Sequence, residues 1–508
     1  MLGLQEVAVL SLCLTVLLYI YRKRKSNPLP PGIPRWPIVG NALSIPMDYT
    51  HRFYKQPGEK LGSKILYLEA FGQPMVILND HRMAKDLLEK RSSIYSSRMK
   101  IDLFFSFFPY GDAWRRDRRL FTQYFSPKTL HRDQERIVDF VRKGLLPNLY
   151  HSPSDFRSHI RSCMEGFAIA IAYGLQVRRT NDPIIGLSED AFSAITSAVA
   201  PGRFLVDVFP ILKYVPGWVP GANFQKLARR WKALIMQVTE DSYEAAVKTM
   251  NNGTAQKSFA SDNLTLQSEG SDPEVSVDDI KRIGQQVYGA GSETTVASSI
   301  TFILAMLKYP DIQKRAQREL DSVLGLNRLP DLSDQAQLPY LSAIMEVLRW
   351  NPIVPLGVPH FTDEEDVYEG YYTPKGSIVI ANAYGMLYDK EIFPDPHVFQ
   401  PERFLKDGKL SPDMTIDPEV AVTFGFGRRI CPGAYLALPL LYLTAASILT
   451  VFDILPELDA EGSPLEVVPE FSAASLVSEP LPFRCQFVPR KGKNVENLLK
   501  DYLHVEII

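Results

Sequence analysis

The stretch Phe424-Gly425-Phe426-Gly427-Arg428-Arg429-Ile430-Cys431-Pro432-Gly433 decides the fold of this chain. Its first two glycines allow positive φ angles, so the stretch predicts a tight loop that directs backbone N–H groups at the sulfur of Cys431 and holds a thiolate. Gly433 leaves room for a flat ligand close to the loop, and the guanidinium of Arg429 suits a carboxylate. The alternative for an isolated cysteine is a small buried hydrophobic residue.

The spacing Phe-x-x-Gly-x-Arg-x-Cys-x-Gly is complete in this stretch and resembles the heme-binding signature of the cytochrome P450 family. The resemblance implies heme b, iron protoporphyrin IX, with Cys431 as the axial thiolate ligand of the iron. Such a ligand pushes electron density toward the opposite position and favours O–O cleavage. The resemblance also implies that Phe424, Gly425, Arg429 and Gly433 bind the cofactor.

Composition excludes several other classes of protein. The chain has 508 residues, with 56 Lys and Arg against 58 Asp and Glu, so no basic excess indicates a nucleic-acid partner. Its four cysteines lie far apart without a C-x-x-C pair, which argues against a zinc site and a disulfide framework. Few cysteines fit a catalytic part in the reducing cytosol.

Residues 1–25 predict a membrane anchor. Val7 to Tyr21 is apolar apart from Ser11 and Thr15, and the basic run Arg22-Lys23-Arg24-Lys25 follows directly. Because the charge comes after the apolar run, the segment differs from a cleaved signal peptide, and the positive-inside rule leaves the remainder cytosolic. We expect a single-pass protein of the endoplasmic reticulum membrane. A buried core helix is the alternative.

The rest of the chain divides into a hinge, one domain and a tail. Residues 26–40 include five prolines between Pro28 and Pro37, a composition typical of a stiff, non-helical connector. Residues 41–490 are expected to form a single domain. Residues 491–508 extend beyond the expected domain end and indicate no role.

The first half of the domain carries a second motif. Lys64 to Leu68 and Pro74 to Leu78 alternate apolar residues and predict strands. Trp114 and Arg118 lie four apart, on one face of a predicted helix. They match the Trp-x-x-x-Arg of the cytochrome P450 family, and this resemblance implies that both side chains contact heme propionates.

Two segments resemble the family's substrate-covering loops. Arg98 to Tyr110 is rich in phenylalanine, and the resemblance implies that Phe104 and Phe107 face the substrate, with core packing as the alternative. Ser188 to Tyr243 predicts two helices around a turn-rich, apolar tip that is expected to enter the bilayer. The polar segment Asn251 to Pro273 predicts a loop.

A long helix is predicted from Val277 to Lys308, because Ser276 with Asp279 three residues later is a helix start signal. Its middle, Gly289-Ala290-Gly291-Ser292-Glu293-Thr294-Thr295, contains two glycines that each cost ~1 kcal/mol relative to alanine. The resemblance implies an O₂ groove beside Ala290, in which Thr294 hydrogen-bonds O₂ and Glu293 relays protons so that one oxygen leaves as water. Close packing against a neighbouring helix is the alternative.

A structural triad is also implied. Glu346 and Arg349 lie three apart on a helix predicted for Leu341 to Trp350, and Pro401-Glu402-Arg403-Phe404 resembles a family element. The resemblance implies that Glu346, Arg349 and Arg403 form a buried triad in which all charges must be paired.

Further pocket residues follow from position in the family pattern. The extended segment after that helix implies that Val354 and Leu356 line the pocket and that His360 reaches a propionate, with a turn histidine as the alternative. Phe471 to Val477 resembles the last pocket-lining turn and places Leu476 at the substrate.

Together these motifs imply a cytochrome P450 fold, mainly α with a smaller β region, with heme between the long helix and the helix after Cys431. The implied reaction inserts one oxygen atom of O₂ into a lipophilic substrate, with electrons from NADPH through a flavoprotein reductase and cytochrome b5 as an additional donor. The chain resembles the fungal membrane-bound branch that tailors secondary metabolites. A heme-thiolate isomerase or dehydratase, and a non-catalytic heme sensor, are the alternatives, and the Glu293-Thr294 pair argues against both.

Overall fold

Helices make up most of the structure, and its strands are short. A computed structural model of the chain describes residues 28–508 apart from residues 100–103, 200–203, 205, 207–209, 271–274, 412–421, 474 and 475. The anchor predicted at residues 1–25 therefore lies outside the described residues. The expected fold class, mainly α with a smaller β region, is confirmed.

The helices of the described part fall into three kinds, of which the α-helices are numbered. The α-helices are α1 (Thr50–Leu61), α2 (His81–Lys85), α3 (Ser92–Tyr95), α4 (Asp112–Tyr124), α5 (Gln134–Asp139), α6 (Leu146–His151), α7 (Phe156–Tyr173), α8 (Pro183–Val199), α9 (Phe224–Asn251), α10 (Phe259–Ser268), α11 (Val277–Lys308), α12 (Pro310–Leu324), α13 (Pro339–Ala343), α14 (Val347–Trp350), α15 (Ala383–Leu387), α16 (Ala434–Val451) and α17 (Val495–Leu499). Two segments are π-helical, Asp86–Lys90 and Phe140–Leu145. The 3-10 turns are Phe105–Phe107, Leu130–Arg132, Pro153–Asp155, Pro210–Tyr214, Leu332–Gln337, Ile344–Glu346, Pro401–Phe404 and Gly427–Arg429.

The strands form one four-stranded sheet and three two-stranded antiparallel sheets. They are β1 (Ile65–Ala70), β2 (Gln73–Leu78), β3 (His360–Phe361), β4 (Asp366–Tyr368), β5 (Tyr371–Thr373), β6 (Ile378–Ala381), β7 (Leu405–Lys406), β8 (Lys409–Leu410), β9 (Phe452–Pro456) and β10 (Cys485–Pro489). The large sheet has the order β1, β2, β6, β3, with β2 and β6 parallel and its other neighbours antiparallel.

Strands β1 and β2 confirm the two strands predicted near the amino terminus. Ile65 pairs with Leu78 and Ala70 with Gln73, so that the connection is a two-residue turn. Its central residues, Phe71 and Gly72, have φ angles of 49° and 80°, as this hairpin turn requires.

Helix α11 has the bounds that the sequence predicts. Ser276 Oγ accepts the N–H of Asp279 at 3.1 Å, and Asp279 Oδ2 accepts the N–H of Ser276 at 3.0 Å, which completes the capping box. The helix ends at Lys308, before Pro310. Along most of its length α11 is buried, and it packs against α7 and against α16.

Two helices of the described part are long and apolar enough to cross a bilayer, α11 and α16. Most of each apolar window, 83% and 72%, is buried inside the protein, as expected of core helices.

The prediction of a loop over Asn251 to Pro273 is wrong in its middle, where α10 forms. Ser258 begins this helix with a capping box to Ser261, which the usual acidic pattern does not reveal. The ring of Phe259 is fully buried and lies 5.8 Å from the ring of Tyr124. A tertiary contact thus stabilises a helix whose own sequence is mostly polar.

The tail beyond residue 490 packs against the domain. Val177 and Ile508 exchange two backbone hydrogen bonds of 3.1 and 3.0 Å, and the N–H of Arg179 donates to the Glu506 carbonyl at 2.9 Å. The Ile508 side chain covers Gly144, where an added Cβ would lie 2.6 Å from Ile508 Cδ1. The tail therefore has a packing role, which the sequence pattern did not indicate.

Candidate active site

The cysteine loop is a tight turn held by backbone geometry. Gly425 and Gly427 have φ angles of 81° and 55°, the positive values predicted for them. The N–H of Cys431 donates to the Phe424 carbonyl at 2.7 Å and closes the loop. A Cβ on Gly427 would lie 2.4 Å from the Leu88 carbonyl oxygen, so a side chain there would displace the loop.

The thiol of Cys431 is influenced by several neighbouring groups. Cys431 is exposed, and desolvation by the surrounding loop raises the pKa of its thiol. The N–H groups of Gly433 and Ala434, at the start of α16, and the charge of Arg118 lower that pKa. These groups are positioned to stabilise a thiolate once a cation binds it.

Helix α4 brings Trp114 and Arg118 to this loop. Arg118 donates from Nη2 to the Ile430 carbonyl at 2.7 Å. Trp114 is buried, and the guanidinium carbon of Arg429 lies 4.2 Å from its ring centre. The two signature motifs that the sequence separates by some 300 residues are therefore in contact.

Arg429 is anchored by main-chain oxygens rather than by an acid. Its Nε donates to the Ser96 carbonyl and its Nη2 to the Phe108 carbonyl, both at 2.7 Å. His360 is buried on β3, where its Nδ1 donates to the Tyr95 carbonyl at 2.7 Å. The structure thus places His360 near Arg429 and holds its ring in one orientation.

Arg98, Arg118 and Arg429 form a cluster of arginines beside the cysteine loop. The sequence pattern did not indicate Arg98. Its side chain is buried, Nη1 donates to the Pro359 carbonyl at 3.2 Å, and Nε has no hydrogen-bond partner in the described part of the chain. No local pattern marks Arg98, because its neighbours come from distant segments. Its proximity to His360 and Arg429 is visible in their pKa values, which the charge of Arg98 lowers.

The cluster has excess positive charge. Among the described residues no carboxylate lies within 4 Å of Arg98, Arg118 or Arg429. Desolvation lowers the pKa of Arg98 to about 9, and desolvation with the neighbouring guanidinium groups lowers that of Arg429 to about 8. Burying such charges without a partner is unfavourable, and a dianionic group would relieve it. A cysteine thiol beside this cluster fits a heme with two propionates.

Helix α11 opens at one turn toward this region. Most of its central side chains are buried, but Ala290 and Gly291 are exposed and Gly289 and Thr294 are half-buried. The Thr294 hydroxyl donates to the Ala290 carbonyl at 2.7 Å. Accessible surface thus lies in the middle of a core helix, at the two glycines, and the O₂ groove expected there stays a prediction.

Glu293 lies on another face of α11 and is buried. Its Oε1 accepts a 2.5 Å hydrogen bond from Nη1 of Arg161 on α7. Desolvation raises the pKa of Glu293, and Arg161 acts in the opposite direction. The acid next to Thr294 is therefore paired with a cation and shielded from solvent.

The structure brings the three residues of the implied triad together. Arg349 Nη2 donates to Glu346 Oε1 at 2.7 Å, and Arg403 Nε lies 3.5 Å from the same oxygen. Both Glu346 and Arg349 are fully buried. The helix predicted here is present as α13, the 3-10 turn Ile344–Glu346 and α14. Arg349 Nη1 also donates to the carbonyls of Leu387 and Pro396, and the structural role implied for the triad stays a prediction.

The predicted pocket residues fall on several segments. Phe104 is buried against α11, where a Cβ on Gly289 would lie 3.6 Å from its ring. Phe107, Val354, Leu356 and Leu476 are half-buried.

The segments that carry Val354 and Leu476 are joined by the main chain. The N–H of Ser478 donates to the Ile353 carbonyl at 2.8 Å. Two segments predicted to line one pocket are therefore adjacent.

A thiol with two N–H donors, next to cations that have no carboxylate within 4 Å among the described residues, indicates the class of heme-thiolate proteins. Comparison with known proteins agrees. The family model described as Cytochrome P450 matches residues 30–485, and the chain belongs to the cytochrome P450 family.

Its relatives are fungal monooxygenases. Cytochrome P450 monooxygenase ple1 of Rhodocybe pseudopiperita is 39% identical over 490 residues, which cover 94% of this chain and 92% of the relative. Cytochrome P450 monooxygenase 98 of Postia placenta is 38% identical, with 94% and 93% covered. Tryptamine 4-monooxygenase of Psilocybe cyanescens is 36% identical, with 92% and 94% covered. The chain is thus a cytochrome P450 monooxygenase, and the family implies a heme-thiolate cofactor.

Proposed function

We propose that this enzyme inserts one oxygen atom of O₂ into a lipophilic small molecule of fungal secondary metabolism. Electrons come from NADPH through a flavoprotein reductase, with cytochrome b5 as an additional donor. The observation that supports this best is the open turn of α11, where the Thr294 hydroxyl is accessible and a buried acid, Glu293, follows directly before it. A heme isomerase has no need of this pair.

The residues present would hold a heme as follows. Cys431 would bind the iron, while Arg98, Arg118 and Arg429, with Trp114 and His360, would hold the propionates. Bound heme with a thiolate ligand supplies the reductive activation of O₂ and cleavage of its O–O bond.

Two residues of α11 would take part in proton transfer. Thr294 directs its hydroxyl proton at the Ala290 carbonyl, so the lone pairs of Oγ1 remain free to order a water molecule. Glu293 holds or releases a proton at its carboxylate, and its pKa, raised by desolvation, moves toward neutral pH, where an acid catalyst is effective.

The substrate is expected to be mostly apolar. Phe104, Phe107, Val354, Leu356 and Leu476 supply apolar surface, which matches the lining typical of small-molecule pockets. One relative is named for oxidation of tryptamine, a small aromatic amine. We therefore place the substrate among fungal terpenoids, polyketides or alkaloids.

An acidic electron donor suits the surface next to the cysteine loop. Arg115 and Arg428 are exposed, and their guanidinium carbons each lie 5.0 Å from the ring centre of Tyr110. Positive charge at this surface would attract a reductase with a negative docking face.

The proposed location is the endoplasmic reticulum membrane, with the domain on the cytosolic side. Large apolar side chains are exposed on the segment after the prolines and on the segment between α8 and α9. They are Trp36, Ile38, Leu43, Met47, Tyr214 and Trp218. Exposed aromatic and aliphatic side chains of this kind favour the membrane interface.

The test is oxidation by microsomes that contain the full chain and NADPH–cytochrome P450 reductase, with terpenes, polyketides and indoles as substrates. Product labelled from ¹⁸O₂ and dependent on NADPH is expected. Product without NADPH would instead support an isomerase or dehydratase.

The iron ligand is tested independently of substrate. Reduced protein with CO should show the red-shifted Soret band of thiolate ligation, and Cys431→Ala should abolish it. Cys485→Ala is the matched control, because Cys485 is a buried thiol whose pKa desolvation raises to about 12. A histidine-type spectrum in the unaltered protein would contradict the proposal.

A further inference from the structure

One arginine is hydrogen-bonded to two buried carboxyl groups between α7 and α11. Nη1 of Arg161 donates to Glu293 Oε1 at 2.5 Å and to Glu165 Oε1 at 3.0 Å. The side chain of Glu165 is only 2% exposed and that of Glu293 9%. Glu165 has no role in the proton delivery described above, although it shares a cation with Glu293.

The charges around this cluster do not balance. Among the described residues, Arg161 is the only cation within 4 Å of either carboxylate. On α7 Arg157 is paired with Glu479 at 2.5 Å, and Glu479 lies 4.0 Å from Arg161. One positive charge thus faces two buried carboxylates, so full ionisation of both is unfavourable.

Helices α8 and α11 contribute the remaining polar groups near the cluster. Glu189 of α8 is half-exposed and lies 3.6 Å from Arg161 Nε. The Tyr288 hydroxyl of α11 lies 3.4 Å from Glu165 Oε2 and donates to it. Neither group adds positive charge, and the carboxylate of Glu189 adds one more negative charge near Arg161. Desolvation, with the neighbouring carboxylate, raises the pKa of Glu165 to about 8.

A small cavity adjoins Glu165. Its volume is about 30 Å³, and about 10–15 Å³ suffices for one water. The exposed lining is mostly apolar, but Glu165 and the amide of Gln285 border the cavity, and Nε2 of Gln285 has no hydrogen-bond partner among the described residues. The cavity also borders Gly289, at the turn where α11 opens. One water that accepts from this amide can therefore lie beside the second carboxyl group.

We propose that Glu165 holds the proton that replaces the one Glu293 gives up during turnover. This inference rests on the proposed monooxygenase function. Glu165 is a positioning residue, since it acts through Glu293.

The proton transfer balances without a further reagent. Monooxygenation consumes two protons and two electrons for each water released. After Glu293 loses its proton, the O–H bond of Glu165 breaks and an O–H bond forms on Glu293, between two carboxyl groups that share Nη1 of Arg161. Glu165 then regains a proton from solvent, by way of the half-exposed Glu189.

The first test needs no turnover. Infrared spectra of the resting holoprotein should contain the band of a buried protonated carboxyl group that disappears with a midpoint near pH 8. The band should be lost in Glu165→Gln and retained in Glu189→Gln, the matched control at the rim. Absence of the band from the unaltered protein, or its persistence in Glu165→Gln, would overturn the proposal.

The second test separates a proton role from a structural one. With an unchanged CO spectrum, Glu165→Gln should slow NADPH-dependent product formation about 10-fold or more and increase its solvent isotope effect. Glu165→Asp, which keeps a carboxyl group, should restore most of the rate. Unchanged turnover and isotope effect in Glu165→Gln would refute the role.

These tests also distinguish the two proposals. If the unaltered protein forms no NADPH-dependent product, the monooxygenase function fails, while the infrared band still reports whether Glu165 holds a proton. If Glu165→Gln does not fold, Glu165→Asp carries the infrared test, in which a band with a shifted midpoint is expected and an unshifted band contradicts the assignment.

Discussion

The hydroxyl of Thr294 donates a 2.7 Å hydrogen bond to the carbonyl oxygen of Ala290, one turn earlier on the same open face of α11. Its neighbour Thr295 makes the same kind of bond, at 2.7 Å, to the carbonyl of Gly291, but its side chain is buried. Two adjacent threonines therefore differ in exposure and not in their helical hydrogen bonds.

This difference provides a controlled test of coupling. Thr294→Ala should keep the CO spectrum and NADPH consumption but divert reduced oxygen into hydrogen peroxide, because the ordered water at Oγ1 is lost. The ratio of product to NADPH measures the effect, which we expect to reach at least ~10-fold. Thr295→Ala should remain coupled. A coupled Thr294→Ala variant would show that another group delivers the proton.

Arg98 should be needed for heme retention and not for folding. Arg98→Met removes a buried cation that has no carboxylate partner among the described residues, so the heme-free protein should be as stable or more stable. Loss of heme to excess apomyoglobin should become several-fold faster, since a propionate loses a partner. Exposed Arg115→Met is the control. Heme loss at the unaltered rate would exclude Arg98 from the propionate site.

The sequence predicts an element well when the residues that determine it lie close to that element in the chain. The bounds of α11 were predictable because Ser276 and Pro310 act within a few residues of the helix ends. Helix α10 was missed because its stability comes from burial of Phe259 beside Tyr124, which no local pattern shows.

The candidate site divides in the same way. Cys431, Trp114 and Arg118 belong to motifs with fixed spacing, so they could be named from sequence. Arg98 and Arg161 could not, because their partners come from other segments: Pro359 for the first and Glu293 for the second. Such pairs exist only after the core has assembled.

The buried carboxyl groups make stability depend on pH. Because the folded pKa of Glu165 is raised to about 8 from 4.5, the folded state holds a proton that the unfolded state has released across that interval. Stability from this group is therefore present at low pH and lost as pH rises toward 8. Between about pH 6 and about pH 9 the Tm should fall by several degrees more in the unaltered protein than in Glu165→Gln. Parallel pH profiles would show that Glu165 is already ionised.

Membrane association should have two components. Deletion of residues 1–27 should release only part of the protein from microsomes, because exposed apolar side chains remain. Adding Ile38→Ser and Trp218→Ser should complete the release, with the CO spectrum as a check of folding. Leu458→Ser, at an exposed apolar residue of another segment, is the control. Complete release by the deletion alone would contradict the second component.

The tail offers a test of its packing role. Deletion of residues 505–508 removes the three backbone hydrogen bonds that join the tail to residues 177–179, between Val177 and Ile508 in both directions and from Arg179 to Glu506. At about 1 kcal/mol each, with the Ile508 contact over Gly144 in addition, the free energy of unfolding should fall by roughly 3–4 kcal/mol. Thermal unfolding followed by the Soret band measures the loss. The milder variant Ile508→Ala keeps the backbone pairing and should lose only the side-chain part. Equal Tm values for the truncated and complete chains would show that the tail does not stabilise the domain.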